Sequence, residues 1–138
     1  MSGLVSSKNS GSGIVGPVGF FARNNNGTTY TNAANVEFPH LEYGSEYFDG
    51  TTFTAPVPGF YAITFSVKGS STNVTVYVRP HRNGTTFGPA LEFHNDINSA
   101  HTCMSFTHKL DSGDQVKLSL AQNVKVDGSD HFAICLIG

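Results

Sequence analysis

Apolar and polar residues alternate with period two along most of the chain, the pattern that predicts half-buried strands. Tyr61, Ile63, Phe65 and Val67 alternate with Ala62, Thr64 and Ser66, and Val74, Val76 and Val78 alternate with Thr75, Tyr77 and Arg79. Met104, Phe106, His108 and Leu110 form a third set; Val116, Leu118 and Leu120, separated by Lys117 and Ser119, form a fourth. The segment from Phe132 to Ile137 is apolar on both faces, as expected of a central strand covered on each side. No window sustains the i, i+3, i+4, i+7 spacing of an amphipathic helix.

Turn signals fall between these runs: Asn26-Gly27, Pro58-Gly59, Asn83-Gly84, Ser112-Gly113-Asp114 and Asp127-Gly128. Pro56 and Pro58 fit a strand start or edge, where a missing N–H does no harm. Short strands at regular spacing between such turns predict an all-β fold, a sandwich or a closed barrel. No internal repeat points to a propeller or a β-helix.

Composition narrows the function classes. A chain of 138 residues is one ordinary domain. Eleven Phe and five Tyr supply a core and argue against disorder. Charged residues are 13%, about half the share usual in a soluble domain. A formal net charge of −2 lacks the basic excess that nucleic acid demands, so no nucleic-acid partner is expected. No run of 18 apolar residues is present, so no membrane insertion by a helix is expected. Residues 1–16, rich in Ser and Gly and without the apolar run of a secretory signal, read as a flexible lead or linker, with the globular domain over 17–138. Asn26, Asn73 and Asn83 open N-x-Ser/Thr triplets that permit glycosylation in a secreted chain.

Two further segments resemble a known family. Thr52-Phe53-Thr54-Ala55-Pro56-Val57-Pro58-Gly59-Phe60-Tyr61-Ala62-Ile63-Thr64-Phe65 looks like the signature of the globular complement C1q domain. Leu110-Asp111-Ser112-Gly113-Asp114-Gln115-Val116-Lys117-Leu118-Ser119-Leu120 resembles that family's second motif, and Val76-Tyr77-Val78 followed by Asn83-Gly84 fits the region between. The resemblance covers roughly Gly19 to Gly138. Ile63 stands where the family has an aromatic residue, and the closing His131–Gly138 segment departs from the family ending, so the chain resembles a divergent member, as of an invertebrate repertoire. The resemblance implies a ten-stranded antiparallel jelly-roll sandwich of C1q and tumour-necrosis-factor (TNF) type, secreted and assembled as a homotrimer. Phe53, Phe60, Tyr61 and the Phe132–Ile137 strand are the candidates for packing about its threefold axis. The low charge agrees with a trimer, because interface cores are depleted of charge.

Catalysis is not expected. The six histidines show neither a His-Glu-x-x-His nor a His-x-His metal pattern, and no Gly-x-Ser-x-Gly elbow occurs. His108, on the Met104, Phe106 and Leu110 face, reads as a hydrogen-bonded core histidine. Cys103 and Cys135 read as small buried apolar groups; the resemblance places them in one sheet but not on neighbouring strands.

Binding through loops is the better reading. Arg79, His81, Arg82 and Asn83 form a basic cluster at the Asn83-Gly84 turn, suited to carboxylates and phosphates. Glu92, Asn95 and Asp96, leading into Asn98, offer the hard oxygen donors that calcium takes, and the resemblance implies calcium on such a loop near the trimer apex. Asp127-Gly128-Ser129-Asp130 reads as a plain turn. Weak sugar sites repeated three times gain avidity of roughly 10²–10⁴. The expected function is therefore a lectin-like pattern-recognition module of innate immunity, binding carbohydrate or another bacterial surface polymer, anionic ones included. The alternatives are a TNF-like ligand held by a receptor in the clefts between subunits, and a trimerising structural head.

Overall fold

The alternating runs form strands because one face of each finds a core. The computed structural model describes residues 17–31, 34–96 and 100–138. The expected lead over 1–16 and Asn98 lie outside the described residues. Strands β1 (Gly19–Arg23), β2 (Thr28–Tyr30), β3 (His40–Tyr43) and β4 (Thr52–Thr54) precede the long pair β5 (Gly59–Gly69) and β6 (Val74–Arg82). There follow β7 (Thr85–Thr86), β8 (Leu91–Asn95), β9 (His101–Leu110), β10 (Gln115–Gln122), β11 (Val124–Val126) and β12 (His131–Leu136).

One sheet has seven strands, ordered β2-β11-β5-β12-β1-β3 with β9 on the other edge of β5; the second has five, β4-β10-β6-β7 with β8 also on β6. Every strand pair is antiparallel. This is the expected jelly-roll sandwich, more finely divided than ten strands. The turn at Asp127–Asp130 separates β11 from β12, which run in succession along β5, and β7 is a two-residue return after a tight turn. No helix of the described residues is long and apolar enough to cross a membrane.

The core between the sheets is aromatic. Phe20 stacks on Phe48 with ring centroids 3.9 Å apart, and Phe132 meets Phe20 edge-on at 5.0 Å. Phe53 and Tyr61, 5.7 Å apart, close the same core, and the Tyr61 hydroxyl donates to the Val57 carbonyl at 2.6 Å. That bond satisfies the one polar atom the ring carries inward.

The Asn83-Gly84 turn is set by backbone chemistry. Both residues take positive φ, 51° and 81°, which Asn and Gly tolerate and which matches the twist of the flanking strands. Asn83 Nδ2 donates to Asp114 Oδ1 at 2.8 Å, and the Gln115 N–H donates to Asn83 Oδ1 at 2.9 Å. The β6–β7 turn and the Asp111–Asp114 turn between β9 and β10 are thereby tied together.

Candidate functional site

The outward face of the five-stranded sheet carries the basic residues. Along β6, Val76, Val78 and Pro80 are buried, so alternation turns Tyr77, Arg79 and His81 outward. Register places His81 beside Lys117 of β10 and Thr86 of β7, and Arg79 beside Ser119. Lys117 in turn lies opposite Thr52 of β4, at a small depression lined by Thr52, Gly84, Gln115 and Lys117. Arg79 Nε and His81 Nε2 are both buried without a hydrogen-bond partner among the described residues. Burial, then the charges of Lys117 and Arg79, hold the His81 pKa below its ordinary value, which leaves the ring neutral at pH 7.

The four residues of the expected basic cluster divide. Arg79 and His81 share this face, and Lys117, which sequence spacing could not attach to them, joins across the strand register. Arg82 instead lays its guanidinium over the Phe87 ring, 5.6 Å from the centroid. Asn83 spends its amide on Asp114 and Gln115. A glycan on its nitrogen would break that brace, whereas Asn26 and Asn73 are exposed and record no side-chain donation among the described residues.

The expected calcium set is not brought together. Glu92 and His94 point outward from β8, while Asn95 is buried on the opposite side, because neighbouring side chains of a strand alternate. Asn95 Nδ2 donates to the Ser71 carbonyl at 2.5 Å, and its side chain occupies the space a Cβ on Gly69 would need, 2.3 Å away. Asp96 is exposed, 3.4 Å from His94. Asn95 is therefore a hairpin brace.

The seven-stranded sheet has an open face. Phe21, Ala133, Thr64 and Ser105 form one row across β1, β12, β5 and β9, and Cys135, Ala62 and Thr107 form the next. No side chain in these rows is charged. Phe60 and Ile137, each about half exposed, lie at one end. Three expectations are corrected here. Phe53 and Tyr61 are fully buried within the chain and leave no surface for packing about an axis; on β5 it is Phe60 that takes the outward position. Cys103 and Cys135 are exposed, not buried, because both fall on outward positions; they lie on β9 and β12 with β5 between. The β12 strand is central but covered on one face only. His108 is half-buried at the β9 edge, where its ring meets Phe87 edge-on at 5.1 Å and its Nδ1–H donates to the Lys109 carbonyl.

The turn expected to be plain holds a dense polar network. Asp130, fully buried, accepts from His101 Nδ1 at 2.8 Å, from Ser66 Oγ at 3.2 Å and from the Asp127 N–H at 3.0 Å. The His131 N–H donates to Ser66 Oγ at 3.1 Å, and burial lowers the His131 pKa. Ligand atoms of His101, Asp127 and Asp130 lie within 4.8 Å of one another, a separation that suits a metal ion. Lys68 Nζ, however, lies 2.6 Å from Asp127 Oδ2 and supplies the local positive charge. The cluster is satisfied by its own residues and reads as a brace between β5, β9 and β12. An aspartate closing a turn just before an apolar strand was the sequence signal for it.

A cleft of about 370 Å³ opens beside Glu37, Pro39, Leu41, Phe48, Asp49 and Thr51. Asp49 Oδ1 accepts from the Thr51 and Thr52 N–H groups at 3.0 and 2.8 Å and so serves the local turn.

Comparison with known proteins agrees with this architecture. The family model for the C1q domain matches residues 19–134. No curated protein sequence matches the chain. Among solved structures, the globular domain of zebrafish complement 1qA is similar at 18% identity, over 88% of this chain and 98% of that one, with a TM-score of 0.64. Murine APRIL at pH 8.5 is similar at 12% identity over 88% and 100%, TM-score 0.66. The Eiger TNF of S. frugiperda is similar at 8% identity over 88% and 93%, TM-score 0.65. At such identities these likenesses speak for the fold.

Proposed function

The chain belongs to the C1q domain family, and we propose from this that it is a secreted, non-enzymatic recognition module acting as a homotrimer and binding carbohydrate or another surface polymer of microbes. The observation that carries the reading is the contrast between its two outward faces. The seven-stranded face presents Phe21, Ala62, Thr64, Ala133 and Cys135 without a charge among them, as an interface core does. Heterologous contacts of this face about a threefold axis close a ring. The five-stranded face then stays in solvent and presents Arg79 and His81 in three copies, and a repeated ligand gains avidity from that repetition. The calcium expectation finds no support in the placement of Glu92, Asn95 and Asp96, and the proposal leaves it out.

A TNF-like role, with a receptor seated between subunits, is the second reading. The fold likeness to the Eiger TNF, comparable in TM-score to that of the complement domain though at lower identity, supports it. Sedimentation at micromolar concentration and a binding screen of glycans and bacterial polymers test both. A particle of three times the 14.7 kDa chain mass that retains a polymer supports the recognition module. A trimer that retains none of the screened polymers supports the second reading, and a protomer of one chain mass overturns both.

A further inference from the structure

We propose that the outward stripe Tyr77–Arg79–His81, with Lys117 beside it, binds the sulfate, phosphate or carboxylate groups of an acidic polysaccharide. The inference rests on the recognition reading and names its ligand class. Two cations, Arg79 and Lys117, flank His81 on adjacent strands, and neither is in an ion pair among the described residues. Glu92 reaches the same face opposite Tyr77 and likewise forms no ion pair. Arg79 Nε and His81 Nε2 are buried with no hydrogen-bond partner among the described residues, so neither atom is within reach of solvent and contact with a ligand falls to the terminal NH₂ groups of Arg79. An oxyanion over the stripe would accept from the Arg79 fork and from the Lys117 ammonium. It would also give His81 a reason to take up a proton.

The form of the face selects the polymer. Alternate residues of a strand stand roughly 7 Å apart, so the stripe spans about 14 Å, an extended track. Tyr77 adds a half-buried aromatic ring at one end, a surface on which a sugar ring can rest. A net charge of −2 lacks the general basic excess of a nucleic-acid surface, so the contacts of this face are local to the stripe. The exposed large apolar side chains among the described residues, Tyr43, Phe60 and Ile137, lie on the other sheet or at its end, which does not favour a lipid surface here.

Proton linkage gives the site a signature. The charged and titratable groups facing His81 are Arg79 on its own strand and Lys117 on β10; β7 contributes Thr86. Burial and both cations oppose its protonation in the free protein. A bound anion favours the imidazolium, so the pKa rises on binding. Affinity must then increase as pH falls through the bound-state pKa and level off below the free one.

The test uses the full chain with heparin as the sulfated probe, dextran as the neutral control and single-stranded DNA as the polyanion without sugar acids. Heparin should bind, more tightly at pH 5.5 than at 7.5 and less tightly as salt rises. Arg79→Ala and Lys117→Ala should each weaken it roughly ten-fold, with unchanged melting temperature as the folding control. Lys125→Ala, on the other sheet, should stay within two-fold. His81→Gln should remove the pH dependence while leaving binding at pH 7.5. Heparin binding untouched in the Arg79→Ala/Lys117→Ala double variant overturns the site, as does equal binding of dextran. DNA bound as tightly as heparin overturns the polysaccharide assignment. A neutral or other polymer bound by the double variant as well as by the parent leaves the recognition reading standing without this site. Heparin held through Arg79 by a monomer does the reverse, keeping the site and removing the trimer.

Discussion

The two outward faces of the sandwich are built from the same alternation yet carry opposite chemistry. On β5, β9 and β12 the outward positions hold Ala62, Thr64, Ser105, Ala133 and Cys135; on β6 and β10 they hold Tyr77, Arg79, His81 and Lys117. A monomer gains nothing from a face without charge at its centre, while a face that stays wet tolerates cations that lack partners. The difference teaches which side of the sandwich is suited to contact with its own kind and which to contact with something else.

A charge placed at the centre of the first face is the severest test of that contrast. Ala133 lies between Phe21 and Thr64 in a row that holds no acidic side chain. In the proposed trimer, Ala133→Arg should reduce the sedimenting mass from three chains to one, because a buried unpaired charge costs more than such an interface returns. Arg79→Glu, on the second face, should leave the mass unchanged. Thiol labelling gives a second readout: Cys103 and Cys135 should react at least ten-fold faster in the Ala133→Arg variant than in the parent. Equal mass and equal labelling in the two would break the comparison.

Much of this sandwich was legible in the sequence, and its limits are instructive. Period-two alternation located β5, β6, β9 and β10, since burial on one face is a local property of a strand, and a continuous apolar run located β12. Asn83-Gly84 announced its turn because few residues accept positive φ at both positions. What spacing could not give was register. Lys117 lies thirty-six positions from His81 and became its neighbour only through the β6–β10 pairing. The alternation of β8 sent Asn95 inward and Glu92 outward, so a sequence cluster of oxygen donors was dispersed once that segment proved to be a strand. Phe60 and Tyr61 looked equivalent as aromatic residues, yet one residue of phase separates solvent from core.

The Asp130 network should yield the next largest effect, and it asks whether the first face depends on an internal brace. Asp130→Ala leaves Ser66, the His101 ring and the Asp127 N–H without their shared acceptor. A loss of about 3 kcal/mol is expected for a buried charged acceptor removed from its donors. That corresponds to a fall of roughly 10 °C in the melting temperature of a domain this size. Since the network lies where β5, β9 and β12 meet, dissociation of the proposed trimer should accompany the loss. A variant that melts earlier but keeps the trimer would separate the brace from the interface.

Acid provides the smallest effect and compares one carboxylate from each region. The hydrogen bond from Lys68 chiefly holds the Asp127 pKa below its ordinary value, against the opposing effect of burial. Burial alone would raise Asp114, but hydrogen bonds from the Asp111 N–H and Asn83, with the charges of Arg82 and His108, bring it below its ordinary value too. A carboxylate whose folded pKa is depressed stabilises the fold above its unfolded pKa, and that contribution disappears as pH falls through the folded value. Stability should therefore decline below about pH 4, the unfolded aspartate range. Asp127→Asn and Asp114→Asn should each flatten that decline, by about 1 kcal/mol or less for groups still in touch with water. Melting temperatures at pH 6 and pH 3 measure it. Because Asp127 adjoins the open face and Asp114 ties the turns beside the basic one, heparin binding at pH 6 should respond to Asp114→Asn and sedimenting mass to Asp127→Asn. A mass change from Asp114→Asn would mean that the two faces are coupled through the core and that neither can be assigned its role alone.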